Sequence, residues 1–218
     1  MKPGLRKYAL ATHITLSVGW IGAVLAYLVL VVAAMTRPDA QTLRAAWIAL
    51  ELIGWDLIVP LALASLLTGL VMSLGTPWGL LRHYWVLISL ALTVVATAVL
   101  LEHMPTVSVF ARVAAETGNL DVEGLRGALR GELLHAGVGL LVLLAIEALN
   151  VYKPQGLTAY GRRRLAVSSR VTETAGKGLG RESTSKTPRW VQVVGIHAIG
   201  LVLLLVIIHL AGGGLRHH

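Results

Sequence analysis

The sequence predicts an all-α polytopic membrane protein, a five-helix transmembrane bundle with its amino terminus inside and its carboxy terminus outside. Three observations carry that prediction. Of the 218 residues, 56% are hydrophobic and only 14% charged, with mean hydropathy +0.73, a balance typical of chains folded in lipid. The apolar residues gather in five runs, each long enough to cross a hydrocarbon core of about 30 Å. The segments Met1–Lys7, Gly75–His83 and Lys153–Arg189 hold 13 of the 19 Lys and Arg residues. Those three segments share one side of a five-span chain, and a Lys/Arg excess marks the cytoplasmic side.

The same composition excludes several functions. With no cysteine, disulfides, iron–sulfur clusters and thiolate metal sites are ruled out. The net charge of +8 lies mostly in one loop, so it reports topology rather than nucleic-acid binding. The first apolar run exceeds a signal-peptide core and lacks a small-residue cleavage site, so it is read as a retained span. No nucleotide-binding motif occurs.

Span one covers about 8–34, behind Lys2, Arg6 and Lys7. A turn at Arg37-Pro38-Asp39 leads to a helix from near Thr42, whose membrane part is about 46–74. Its start, with Arg44, Trp47, Glu51 and Asp56, is amphipathic and is expected to project from the membrane. Pro60 is a candidate kink. After the turn at 75–79, Trp78, Tyr84 and Trp85 form an interfacial belt around span three, about 84–102. Pro105–Arg130 reads as a polar, partly amphipathic connection, with Asp121 an N-cap for the helix leading into span four, about 133–152. The basic loop 153–189 is rich in Ser, Thr and Gly and reads as partly disordered. Span five, about 190–211, carries two histidines and no formal charge.

An ionisable side chain inside a span is costly without a partner, so intramembrane histidines are site candidates. His13 lies about 9 Å into span one from the inner side, and His197 about 10 Å into span five. Two level histidines on different helices can supply both axial ligands of a b-type haem. Ser17, Gly19, Gly22, Gly195, Ala198 and Gly200 leave room for a macrocycle, though small residues also mark plain helix contacts. At the outer level stand His103, His135 and His209, with Glu102 and Glu132 beside them and Glu51 and Asp56 on span two. Two chemistries suit that group: a second haem on His209 with His135 or His103, or a copper or zinc site from His103, His135, His209 and Glu132. Glu132 and His135 also have the Glu-x-x-His spacing that places both on one helix face. His197 and His209 are twelve residues apart, about 18 Å along the axis and roughly 120° around it, which favours one haem over two. His83, beside Arg82 and Trp85, reads as an interfacial anchor and a reserve ligand. Met104 reads as packing. Glu147 lies deep enough in span four to require a partner.

The segment Thr12-His13-Ile14 with Trp20-Ile21-Gly22 resembles the first helix of copper-resistance-D-like membrane proteins. It also looks like the first helix of the small bacterial membrane protoporphyrinogen oxidases, a resemblance that implies a haem-ligand role for His13. The segments Pro77–Trp85, His103–Thr106 and Val151–Thr158 are similar to those of uncharacterised bacterial integral membrane proteins, which implies no particular activity.

The expected function is that of a bacterial inner-membrane cytochrome with one or two b haems, passing electrons between an inner and an outer site. A quinol or a redox partner protein is the expected donor or acceptor. One alternative is a periplasm-side copper or zinc binding or transport protein. The other is a non-catalytic adaptor whose basic loop meets anionic lipid or a partner.

Overall fold

The structure is a computed structural model that describes residues 2–37, 39–75, 81–116, 121–154 and 156–163, together with Val193 and Gly200. Of span five only Val193 and Gly200 are described, and His197 and His209 lie outside the described residues.

Among the described residues, four helical rods are long and apolar enough to cross a membrane. The first is α1, Pro3–Thr36. The second, Ala40–Gly75, consists of α2 (Ala40–Ile53), a π-helical turn (Gly54–Ile58) and α3 (Val59–Gly75). The others are α4, Tyr84–Ala115, and α5, Val122–Tyr152. Neighbours along the chain run antiparallel. α1 packs on α2, α3 and α5, and α4 packs on α2, α3 and α5, so the rods close into an up–down bundle. Their outward faces carry Val18, Leu25, Val29, Leu63, Leu67 and Leu141, all exposed. Helices apolar on the outside as well as the inside suit a lipid surround. The protein is a multi-pass membrane protein.

Each rod is about 45–54 Å long at 1.5 Å per residue, more than a hydrocarbon core requires. The excess corrects one expectation. Pro105–Arg130 is not a connection but the ends of two helices, with α4 continuing through Pro105 and α5 starting at Val122. Buried Val107, Ala111 and Ala114 on α4, and Leu125 and Leu129 on α5, recur at helical spacing. That stripe outweighs the single hydrogen bond Pro105 cannot make. Asp121 caps α5 as expected, accepting the Gly124 N–H at 2.9 Å. Asp39 caps α2 by accepting the Thr42 N–H at 2.6 Å.

The expected irregularity near Pro60 takes the form of the π turn. Pro60 offers no N–H to the Asp56 carbonyl and crowds it. The preceding ladder widens, so that the Val59 N–H reaches back to the Gly54 carbonyl. A Cβ at Gly54 would overlap Met104, so the glycine lets this turn press against α4, and Met104 is fully buried there.

Packing is uneven along the bundle. The six largest fully buried side chains, Trp47, Leu43, Leu50, Met104, Leu125 and Leu129, belong to the end farthest from Lys2, Arg6 and Lys7. Trp47 stacks on Phe110 there, ring centres 4.9 Å apart. At the opposite, basic end the start of the loop folds back on the turn before α4. The Thr158 N–H donates to the Arg82 carbonyl at 3.0 Å, the Tyr84 N–H donates to the Gly156 carbonyl at 3.3 Å, and His83 pairs with Leu157 in an isolated bridge. Gly161 fits under the Arg82 carbonyl, where a Cβ would stand 2.5 Å from the oxygen. This part of the basic loop is ordered.

Candidate functional site

The loosely packed half holds a cavity of about 520 Å³ between α1, α3, α4 and α5, within the usual size range of small-molecule sites. From α1 it takes Arg6, Leu10, His13, Ser17 and Trp20, positions at steps of three and four that share one helix face. Most of its wall area is apolar, but Ser17, Ser65, Ser89, Thr93 and Asn150 also line it, together with His13 and three charged side chains.

His13 is the most constrained of these. Its Nδ1 lies 3.0 Å from the Thr68 Oγ1. The Thr68 hydroxyl has one proton and gives it backward along α3, to the Ala64 carbonyl at 2.8 Å with the Ser65 carbonyl at 3.1 Å. With its proton on the Ala64 carbonyl that oxygen accepts towards His13, an arrangement that puts the ring proton on Nδ1 and leaves Nε2 its lone pair. Gly69, next along α3, leaves room for the ring: a Cβ there would stand 3.1 Å from the His13 Cε1. Ser17 and Ser65 hydrogen-bond each other at 2.9 Å one turn further in. Ser89 donates to Asn150 at 3.0 Å, and Glu147 lines the α5 side.

The far half holds a second group. The Glu132 carboxylate, 3% exposed, accepts the Tyr27 O–H at 2.7 Å and stands 3.0 Å from His103 Nε2 through both oxygens. His135 lies flat on His103, ring centres 3.8 Å apart and planes 12° from parallel. A pocket of about 70 Å³ borders all four residues and shares Trp20 and Leu143 with the large cavity.

Comparison with protein families, with curated proteins and with solved structures gives no match. The site has to be read from its own chemistry.

The structure brings His103, His135 and Glu132 together, as their level in the sequence implied. Among the described residues, no three His or acidic side chains converge as metal ligands. The cluster is bonded to itself: Glu132 binds Tyr27 and His103, and the two imidazoles stack. Asp56 is exposed on the π turn rather than turned into the bundle. Met104 is packing, and His83 belongs to the basic-end tie. His13 stands apart from the far cluster, on the large cavity. His197 and His209 lie outside the described residues. Tyr27, Thr68 and Gly69 were missed by sequence reasoning. Ser65, Thr68 and Gly69 at i, i+3 and i+4 do share a helix face, which was the available signal. Tyr27 gave none beyond being a hydroxyl inside an apolar run.

Proposed function

We propose that this protein is a bacterial inner-membrane haem protein of the b type, in which the large cavity would hold the haem and His13 would be one of the residues that bind it. The observation that carries the reading is the contact of His13 Nδ1 with the Thr68 hydroxyl at 3.0 Å, on the wall of the cavity. A ligating imidazole characteristically donates its other N–H to a neighbouring acceptor, which orients the ring and raises its basicity, and Thr68 is that acceptor. The cavity fits the group by size, by its apolar walls and by this donor, since a flat apolar macrocycle in a helical bundle needs such a slot. His197 is the second ligand we propose, on the depth it shares with His13 in the sequence. Bound there, haem would supply one-electron chemistry, with a quinol or a redox protein as the other party.

The chain's own residues do the rest. Thr68 holds the ring, Gly69 admits it, and Trp20, Val86, Leu90 and Ile146 keep water from the slot. The reading includes five spans with the amino terminus inside, on the Lys/Arg distribution. An outer copper or zinc site, or an outer second haem, has less support because Glu132 and His103 already hold one another.

The test is the visible spectrum and haem content of the purified full-length protein. Wild type should carry about one haem per chain, and His13→Ala should lose it or become five-coordinate. Thr68→Val should keep haem with altered bands. A colourless wild type, or wild-type haem content in His13→Ala, ends the proposal.

A further inference from the structure

Three formally charged side chains, Arg6, Glu147 and Lys153, are found among the described residues lining the cavity. Arg6 lies seven residues before His13 on α1, two turns away on the same face and about 10 Å nearer the basic end. Lys153 closes α5 at that same end. Glu147 sits six residues earlier, about 9 Å deeper. Two cations thus line the basic end of the cavity, with the one carboxylate among the described lining residues set back behind them.

Lys153 is in an unusual conformation. With φ 41° and ψ 60° it is left-handed, the one non-glycine residue with positive φ among those described. It ends α5 at the position where a helix commonly has glycine, its N–H donating to the Leu149 carbonyl. A residue with a Cβ is strained there. Glycine would make the same cap unstrained, but would bring no cation to the cavity.

We propose that Arg6 and Lys153 form an anion seat at the mouth of the cavity, selecting an amphiphile with an apolar body and paired carboxylates, a dicarboxylic tetrapyrrole. This rests on the haem reading, which it deepens by stating how the ligand is oriented: ring towards His13, carboxylates at the basic end. The distance from Arg6 to His13 along α1 is comparable with the reach from the centre of such a macrocycle to its acid side chains. The seat distinguishes the diacid from the same ring without charge.

The experiment titrates full-length protein, produced without haem, with haem b and with its dimethyl ester. Wild type should bind the diacid more tightly than the ester. Arg6→Gln and Lys153→Ala should each weaken diacid binding about fivefold, the scale of one exposed ion pair, and leave ester binding unchanged. Lys153→Arg should restore the preference. Lys153→Gly should separate the two roles of the residue: diacid binding falls as in Lys153→Ala, while the haem-free protein melts about 2–4 °C higher because the left-handed strain is gone. Equal binding of diacid and ester by wild type overturns the seat and leaves the haem reading standing. Failure of wild type to bind either ring overturns the haem reading itself. Repeating the titration in phosphatidylcholine and in phosphatidylglycerol nanodiscs should give the same diacid affinity. Strong competition by the anionic lipid, relieved in the Arg6 and Lys153 variants, would assign the seat to a lipid headgroup and overturn the proposal.

Discussion

His103 Nε2 stands 3.0 Å from both carboxylate oxygens of Glu132, and Tyr27 donates to the same carboxylate from the other side. A polar side chain this deeply buried is tolerated because its oxygens are bonded from two helices. The group therefore ties α1, α4 and α5 together at the end of the bundle where packing is tightest.

Removing the carboxylate leaves a phenol and an imidazole buried without their acceptor. Glu132→Ala should cost about 1–3 kcal/mol for each polar group left unsatisfied. Tyr27→Phe should cost about 1 kcal/mol, the net worth of one hydrogen bond. Thermal melts of the purified variants in one detergent measure both. A Glu132→Ala protein that melts with wild type would show that the cluster holds nothing together.

Gly69→Ala tests the fit of His13 against α3. The substitution removes a helix-interior glycine, which favours the helix by up to about 1 kcal/mol, but its Cβ crowds the His13 ring. Stability should hold or rise slightly, while haem content falls or the haem spectrum shifts. Unchanged haem binding would mean that the ring moves freely.

Acid sensitivity should be traceable to Asp39. The Thr42 N–H, followed by smaller contributions that include nearby Arg37, holds its carboxyl below the ordinary value of 3.8. A depressed acid stabilises the fold when ionised, so its contribution is complete above pH 3.8 and is lost as pH falls through the lower folded value. Asp39→Asn keeps an N-cap acceptor but has no charge to lose. Its melting temperature should decline less steeply below pH 3.8 than that of wild type in parallel acid titrations.

Reporter fusions test the proposed orientation. Fusions after Thr36 and Gly118 should read periplasmic, and one after Gly178 cytoplasmic, as the Lys/Arg distribution requires. A periplasmic signal at Gly178 would reverse inner and outer throughout.

Apolar runs made the four described rods legible, because length and hydropathy alone decide what crosses a bilayer. Counting residues from the basic side placed His13 away from His103, His135 and Glu132, and the structure keeps that separation. What those residues do with one another was not legible. Whether Glu132 accepts from a tyrosine or ligates a metal depends on the rotation of α1, which no run of apolar residues specifies. The extension of α4 beyond Pro105 was hidden by the proline itself, although Val107, Ala111 and Ala114 repeat at helical spacing. The Thr68 contact was missed because hydroxyls inside helices ordinarily bond back to their own backbone. Thr68 does so here, and meets His13 Nδ1 as well.

The π turn at Gly54–Ile58 sets the phase between the two halves of the second rod. Such a turn is an α-helix carrying one surplus residue, and each residue turns a helix by about 100°. Because of that surplus, α2 presents Leu43, Trp47 and Leu50 to the bundle while α3 presents Ser65 and Thr68 to α1. Deleting a single residue here would leave an unbroken, more regular helix of nearly the same length and hydropathy. The α3 half would be out of step by more than a quarter turn, and Thr68 and Gly69 would swing away from His13. A chain one residue shorter would still look like a membrane bundle and would have lost the grip on its histidine.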